Sequence, residues 1–118
     1  MTTTITRRPG TGANTPISVD ISTVEKTPRM FRGKTVELEG IPKRVAEHGG
    51  KIVFELVDSP GSRKSPLIVS VNPEKVSAKS FRVAREQMVY KERVSVTGVI
   101  SIVEGEASLA ATALEKVA

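Results

Sequence analysis

The side chains that most often perform covalent or acid–base chemistry are nearly absent from this sequence. His48 is the only histidine, and there is no cysteine. A cysteine–histidine pair is therefore impossible, and any histidine-based triad would have to use His48. His48 precedes Gly49-Gly50, a pair typical of tight turns, so we expect a solvent-exposed turn residue. The sequence predicts a protein that is not an enzyme.

Binding of a metal or a nucleotide cofactor finds equally little support. Asp58 begins the motif Asp58-Ser59-Pro60-Gly61, in which the carboxylate is expected to accept backbone N–H groups of a turn. The sequence contains neither a glycine-rich phosphate loop nor the Gly-x-Ser-x-Gly motif of hydrolases. Without cysteine, thiolate metal sites are excluded. We expect no cofactor, no metal and no catalytic residue.

The composition predicts a small basic domain, whose modest positive surplus fits plain solubility as well as a polyanionic partner, so charge alone does not decide between them. The chain has 118 residues and a formal net charge of +5. A positive surplus favours phosphate-rich partners, because binding releases their counterions. No apolar segment approaches the roughly 18 residues of a membrane span. Pro9-Gly10 follows Arg7-Arg8 where an export signal would be apolar, so we expect a cytoplasmic location and no membrane partner.

Two segments share a pattern that predicts bent strands. Residues 35–41 and 93–99 each alternate in polarity and run into a glycine, Gly40 or Gly98, followed by a β-branched residue. A glycine inside a strand marks a bulge or a sharp bend, and we expect positive φ there. Two bent strands at equivalent places allow a short sheet to close into a barrel.

The other elements follow from turn residues and from a change of period. His48-Gly49-Gly50 and Glu104-Gly105 predict hairpins, and helical spacing predicts a helix of about three turns within residues 74–90. The predicted strands cover about 34–46, 51–58, 66–71, 93–103 and 106–116. The predicted core consists of Val36, Leu38, Phe54, Leu56, Ile68, Val83, Val94, Val96 and Leu109.

Three segments are expected along the chain. Residues 1–16 are rich in Thr, Gly and Pro and predict a disordered basic arm. Residues 17–29 predict an edge strand, in which apolar residues alternate from Ile17 to Ile21, and then a linker. Residues 30–118 contain the predicted barrel.

The order of three strands, one helix and two strands resembles the oligonucleotide/oligosaccharide-binding (OB) barrel. The resemblance covers residues 30–118 and rests on Val36-x-Leu38-x-Gly40, Phe54-x-Leu56-x-Asp58-x-x-Gly61 and Val94-x-Val96-x-Gly98. The helix between the third and fourth strands argues against immunoglobulin-like and SH3-like barrels. The resemblance implies an all-β, five-stranded fold with a binding platform on its second and third strands.

The resemblance also implies a non-catalytic protein that binds single-stranded DNA or RNA, with both nucleic acids left open. Lys and Arg would contact phosphates, while Tyr90 or His48 would stack on a base. Affinity is expected to depend on charge, with weak sequence preference. Arg7 and Arg8 would act as a tether, and Arg82 and Arg85 would lie outside the groove. The candidate nucleic-acid-binding residues are Lys43, Arg44, His48, Lys51, Arg63, Lys64, Tyr90, Lys91 and Arg93.

The alternative is an OB-fold module that binds another protein, or a subunit of a homo-oligomer or larger assembly, with no nucleic-acid ligand. Val53 and Val57 on the outer face of the second strand, with Leu67 or Val69 nearby, would form a modest apolar patch for a partner. Glu104-Gly105-Glu106 in the last hairpin would repel phosphate and favours this alternative.

Overall fold

The computed structural model describes residues 16–58 and 67–117. The predicted arm, apart from Pro16, and the predicted site residues Arg63 and Lys64 lie outside the described residues. The elements in chain order are β1 (Ile17–Ser18), α1 (Ile21–Lys26), α2 (Pro28–Phe31), β2 (Thr35–His48), β3 (Lys51–Val57), β4 (Leu67–Val71), α3 (Ala78–Glu86), β5 (Val94–Val103) and β6 (Glu106–Lys116).

Strands β2 to β6 form a closed barrel. The sheet order is β1-β2-β3-β4-β6-β5, and an additional pairing of β2 with β5 closes it. The β1–β2 and β4–β6 pairs are parallel, and the other pairs are antiparallel. In the chain, helix α3 follows the third barrel strand, β4, and precedes the fourth, β5. The predicted five-stranded barrel with one intervening helix is confirmed.

Strand β2 pairs with two partners in succession. Residues 35–40 pair with β5, and residues 41–48 pair with β3. The register of the β2–β3 pair shifts after Lys43, where Arg44 adopts a left-handed conformation with φ of 53°. The bulge therefore lies at Arg44 and not at Gly40, whereas Gly40 is the residue at which β2 changes partner from β5 to β3.

The two strand glycines are required by space and not by backbone conformation. Neither Gly40 nor Gly98 has positive φ, so that expectation is wrong. A Cβ on Gly40 would lie 2.6 Å from the carbonyl oxygen of Val57, and one on Gly98 would lie 2.9 Å from the Cα of Ala111. At Gly98 the β5–β6 register does shift, as predicted, because Thr112 is an extra residue in β6.

Both predicted hairpins are present, with the expected turn chemistry. Gly49 and Gly50 have φ of 58° and 83°, and Glu104 and Gly105 have φ of 54° and 83°. Positive φ at both central residues is the requirement of a type I′ turn, whose twist matches that of the strands it joins. Local sequence therefore determines both turns.

The barrel core is aliphatic, and eight of the nine predicted core residues are buried. The exception is Ile68, which is 38% exposed, whereas Leu67 and Val69 are fully buried. Val69 lies opposite Phe54 in the β3–β4 register, and Leu67 lies opposite Leu56. Because directly opposite residues share a face, β4 must direct its odd-numbered side chains inward. The predicted outer apolar patch is also wrong, because Leu67 and Val69 face the core and Val57 is only 5% exposed.

The segment before the barrel is mainly helical. Ile17 and Ser18 have register partners in β2, the N–H of Val19 adds a bond to the carbonyl oxygen of Glu37 at 3.2 Å, and a helix begins at Ile21. The edge strand predicted through Ile21 is therefore wrong. Ile21 and Val24 are three residues apart, so one face of α1 places both in the core, where they are 3% and 0% exposed. No helix within residues 16–58 and 67–117 has the length and apolar character needed to cross a membrane.

Candidate nucleic-acid interface

The β2–β3 hairpin brings together four of the predicted site residues, which we call the hairpin group. Lys43, Arg44 and His48 belong to β2, and Lys51 begins β3. His48 and Lys51 lie opposite each other across the Gly49-Gly50 turn. Lys43 is half-buried and the other three are exposed. The group follows one edge of the barrel surface and ends at the tip of the hairpin.

Arg44 owes its orientation to the bulge. Its side chain is 82% exposed, and its guanidinium Nη1 lies 3.8 Å from Oε2 of Glu55. Glu55 is also the register partner of Lys43. An exposed pair of this kind contributes about 0–1 kcal/mol, so a phosphate can compete for Arg44 at little cost. Glu55 nevertheless places a negative charge in the middle of the β3 surface.

The outer face beside the hairpin group offers no ring for base stacking. Two rows of outward residues cross β3, β4 and β6. The rows are Glu55, Ile68 and Ser108, and Val53, Ser70 and Ala110. Phe54 points into the core and is 1% exposed, as the alternation of β3 predicted. Direct contacts on this face would therefore be polar or small apolar ones, with charge supplied by the hairpin.

Helix α3 places one cation, Arg85, next to the hairpin, although Arg82 and Arg85 were expected to lie outside the groove. Nη2 of Arg85 lies 3.7 Å from Oε2 of Glu47, the residue before His48. The Arg85 guanidinium also lies 5.2 Å from the centre of the Phe81 ring. Arg85 therefore lies beside the hairpin, but its partner Glu47 is opposite the buried Ile52 and so belongs to the other face from His48 and Lys51. The i, i+4 spacing of Phe81 and Arg85 was visible in the sequence, but the proximity to Glu47 depends on how α3 packs.

Two serine contacts define α3, a cap within the helix and a buried bond to β6. Ser77 caps the helix by accepting the Ser80 N–H at 3.1 Å. The hydroxyl of Ser80, itself buried, accepts the N–H of Leu114 at 3.1 Å. Leu114 follows the bulge at Thr112, where the β5–β6 ladder is disrupted. Ser80 thus ties the helix to the strand end that the bulge displaces.

Arg93 does not join the hairpin group. Its Nε lies 3.4 Å from Oε1 of Glu39, and its Nη1 donates to the carbonyl oxygen of Asp58 at 3.2 Å. These residues line a groove of about 290 Å³, which we call the acidic groove because it also includes Asp20 and Glu37. Its four carboxylates outnumber the one guanidinium. The groove therefore favours cations over phosphates.

The remaining candidates lie in the connection between α3 and β5. Tyr90 is 67% exposed, and Lys91 is exposed with φ of 52°. His48 is solvent-exposed at a turn, as expected. Among residues 16–58 and 67–117, no cluster of His, Asp and Glu has an arrangement that would hold a metal ion.

Comparisons with known proteins identify the fold but no family. No protein-family model and no curated protein matches the sequence. An asparaginyl-tRNA synthetase structure from Pyrococcus horikoshii is similar with a TM-score of 0.68 and 22% identity, over 84% of this chain. This chain spans only 22% of that synthetase chain.

This chain spans a larger share of two further solved structures. An OBody, AM1L10, bound to hen egg-white lysozyme is similar with a TM-score of 0.63 and 19% identity, over 80% of this chain and 89% of that one. The Stn1-ten1 complex of S. pombe has a TM-score of 0.57 and 22% identity, over 70% of this chain and 57% of that one. Together with the strand order, these likenesses define an OB-fold domain.

Proposed function

We propose that this chain is a non-catalytic OB-fold module that binds single-stranded nucleic acid along the β2–β3 hairpin. The observation that carries the proposal is the hairpin group. The bulge at Arg44 and the turn at Gly49-Gly50 hold these side chains on a rigid element of the barrel, where they can follow a phosphate backbone.

Charge would supply most of the affinity. The outer face of β3 and β4 lacks rings, so few contacts with base edges or base faces are available there. Phosphate contacts are the same for every sequence, and their strength falls as salt rises because counterions are released. Binding is therefore expected to be weak in sequence preference and strongly dependent on salt.

Fluorescence anisotropy with a labelled poly-dT strand, at two salt concentrations, tests the proposal. We expect the double variant Lys43→Gln/Arg44→Gln to weaken binding about equally for every sequence. The salt slope should fall by roughly 0.7 for each phosphate contact that is lost. Arg85→Gln should weaken binding much less, because Arg85 pairs with Glu47 on the opposite face of the hairpin.

The matched control is Lys26→Gln/Arg29→Gln, which removes the same charge from two exposed residues of α1 and α2. Helix α2 is followed by Gly33, whose N–H bonds to the carbonyl oxygen of Ile100 at 2.7 Å, away from the hairpin. Equal losses in the two double variants would contradict the proposal, because net charge and not the hairpin would then determine affinity.

A protein-binding OB module is the second candidate, and the acidic groove favours it. The groove lies at the other end of β2 from the hairpin and would suit a basic segment of a partner better than a phosphate chain. A sizing column run with the anisotropy measurement distinguishes the two. A stable dimer or a co-eluting protein, with no binding to the labelled strand, would support the second candidate.

A further inference from the structure

Three consecutive apolar side chains are exposed immediately after α3. Met88, Val89 and Tyr90 are 40%, 75% and 67% exposed. With Lys91 they form what we call the α3–β5 loop, residues 88–91. Single exposed apolar residues are ordinary, but a contiguous exposed group marks an interaction surface.

The loop is held in one shape by a buried glutamine. Gln87 is fully buried, and its Nε2 donates to the carbonyl oxygen of Val83 at 3.3 Å. Its Oε1 accepts the N–H of Glu92, so one amide joins the two ends of the loop. The N–H groups of Val89 and Tyr90 both donate to the carbonyl oxygen of Glu86, at 3.0 Å each.

The backbone conformation of Lys91 supports a role in binding for the α3–β5 loop. With φ of 52°, a lysine occupies a region that usually favours glycine. Such a conformation persists only where the surrounding structure enforces it, and outliers of this kind concentrate at binding sites. The loop thus presents Tyr90 from a preorganised backbone, which reduces the entropy that a ligand must overcome.

The position and chemistry of the loop favour a nucleic-acid occupant. Tyr90 is the most exposed of the chain's four aromatic residues, since Phe54 is in the core and Phe31 and Phe81 are half-buried. Lys91 adjoins Tyr90 in the chain and is exposed as well. An exposed ring next to a lysine suits a base with its phosphate.

We propose that the α3–β5 loop is a preformed base-stacking platform, on which the Tyr90 ring stacks on a base and Lys91 contacts an adjoining phosphate. This inference rests on the proposed function. It places stacking on a loop outside the second and third barrel strands, whose outer face lacks rings, and chooses Tyr90 over His48.

The intrinsic fluorescence of the protein can be used to test for stacking. It contains one tyrosine and no tryptophan, so its intrinsic tyrosine emission comes from Tyr90 alone. Unlabelled poly-dT is titrated while this emission is recorded, and anisotropy with labelled poly-dT measures affinity separately. Stacking should quench Tyr90 in step with the anisotropy signal. Tyr90→Ala should weaken binding at least about fivefold, whereas Tyr90→Phe should keep the affinity within about twofold.

Val103→Ala is the matched control, because it removes an exposed apolar side chain, 57% exposed, from the end of β5 and should leave affinity unchanged. Binding by anisotropy with unaltered Tyr90 emission and full affinity of Tyr90→Ala would overturn the platform and leave the proposed function intact. No binding at all would overturn both. A dimer that Tyr90→Ala dissociates, without quenching by poly-dT, would make the loop a protein interface and overturn the inference.

Discussion

Gly98 lies where β5 crosses the bulge of β6, and its missing side chain makes room for a neighbouring backbone. A Cβ there would lie 2.9 Å from both the carbonyl carbon of Ala110 and the Cα of Ala111, and closer still to the Ala110 oxygen. Backbone atoms cannot move aside as the end of a side chain can. We therefore expect Gly98→Ala to destabilise the fold by about 2–3 kcal/mol in urea denaturation, and Gly98→Val by more.

Gly50→Ala is the appropriate comparison, because it separates crowding from backbone conformation. Gly50 has φ of 83° but no heavy atom within 4 Å of an added Cβ. Its substitution should therefore lower the free energy of unfolding only by the cost of placing alanine in a left-handed conformation, about 1–2 kcal/mol. If Gly98→Ala proved no more destabilising than Gly50→Ala, the close approach of β5 and β6 would be incorrect.

Strand β4 shows how an element takes its orientation from its neighbours. Leu67, Ile68 and Val69 are all apolar, so alternation along the strand does not reveal which face is buried. The β3–β4 register decides it. We expect Leu67→Ala to lower the free energy of unfolding by about 2–5 kcal/mol, because it leaves a cavity in the core.

Ile68→Ala, one residue away, provides the internal control and should cost less than about 1 kcal/mol, because the side chain is 38% exposed. Both variants are compared by urea denaturation with m-values monitored. A larger loss of stability for Ile68→Ala than for Leu67→Ala would mean that the inward and outward faces of β4 are the reverse of those described.

For the molecule as a whole, the folding unit extends beyond the barrel strands. Ile21 and Val24 of α1 belong to the same core as β2 to β6. The side chain of Ile21 also approaches Gly40, where an added Cβ would lie 2.9 Å from Ile21 Cδ1. We expect Ile21→Ala to cost about 2–4 kcal/mol in thermal or urea unfolding, in a single transition with the barrel.

Thr23→Ala serves as the control within the same helix, since Thr23 is exposed, and should change stability by less than about 0.5 kcal/mol. An effect of Ile21→Ala no greater than that of Thr23→Ala would show that α1 is a peripheral attachment.

The sequence by itself determined the features that depend on neighbours along the chain. Alternation predicted the five barrel strands, helical spacing predicted α3, and Gly49-Gly50 and Glu104-Gly105 predicted both turns, because these signals act over a few residues. The cations of the hairpin group were visible for the same reason.

Only the tertiary structure decided which surfaces meet, because register and packing join residues that are distant in the chain. The inward face of β4, the bulge at Arg44 and the crowding at Gly98 all depend on a partner strand. The same is true of the site: Arg85 reaches Glu47 only because α3 closes the barrel beside the hairpin, and Arg93 turns to Glu39 because β5 pairs with β2. Local sequence carries no signal for either contact.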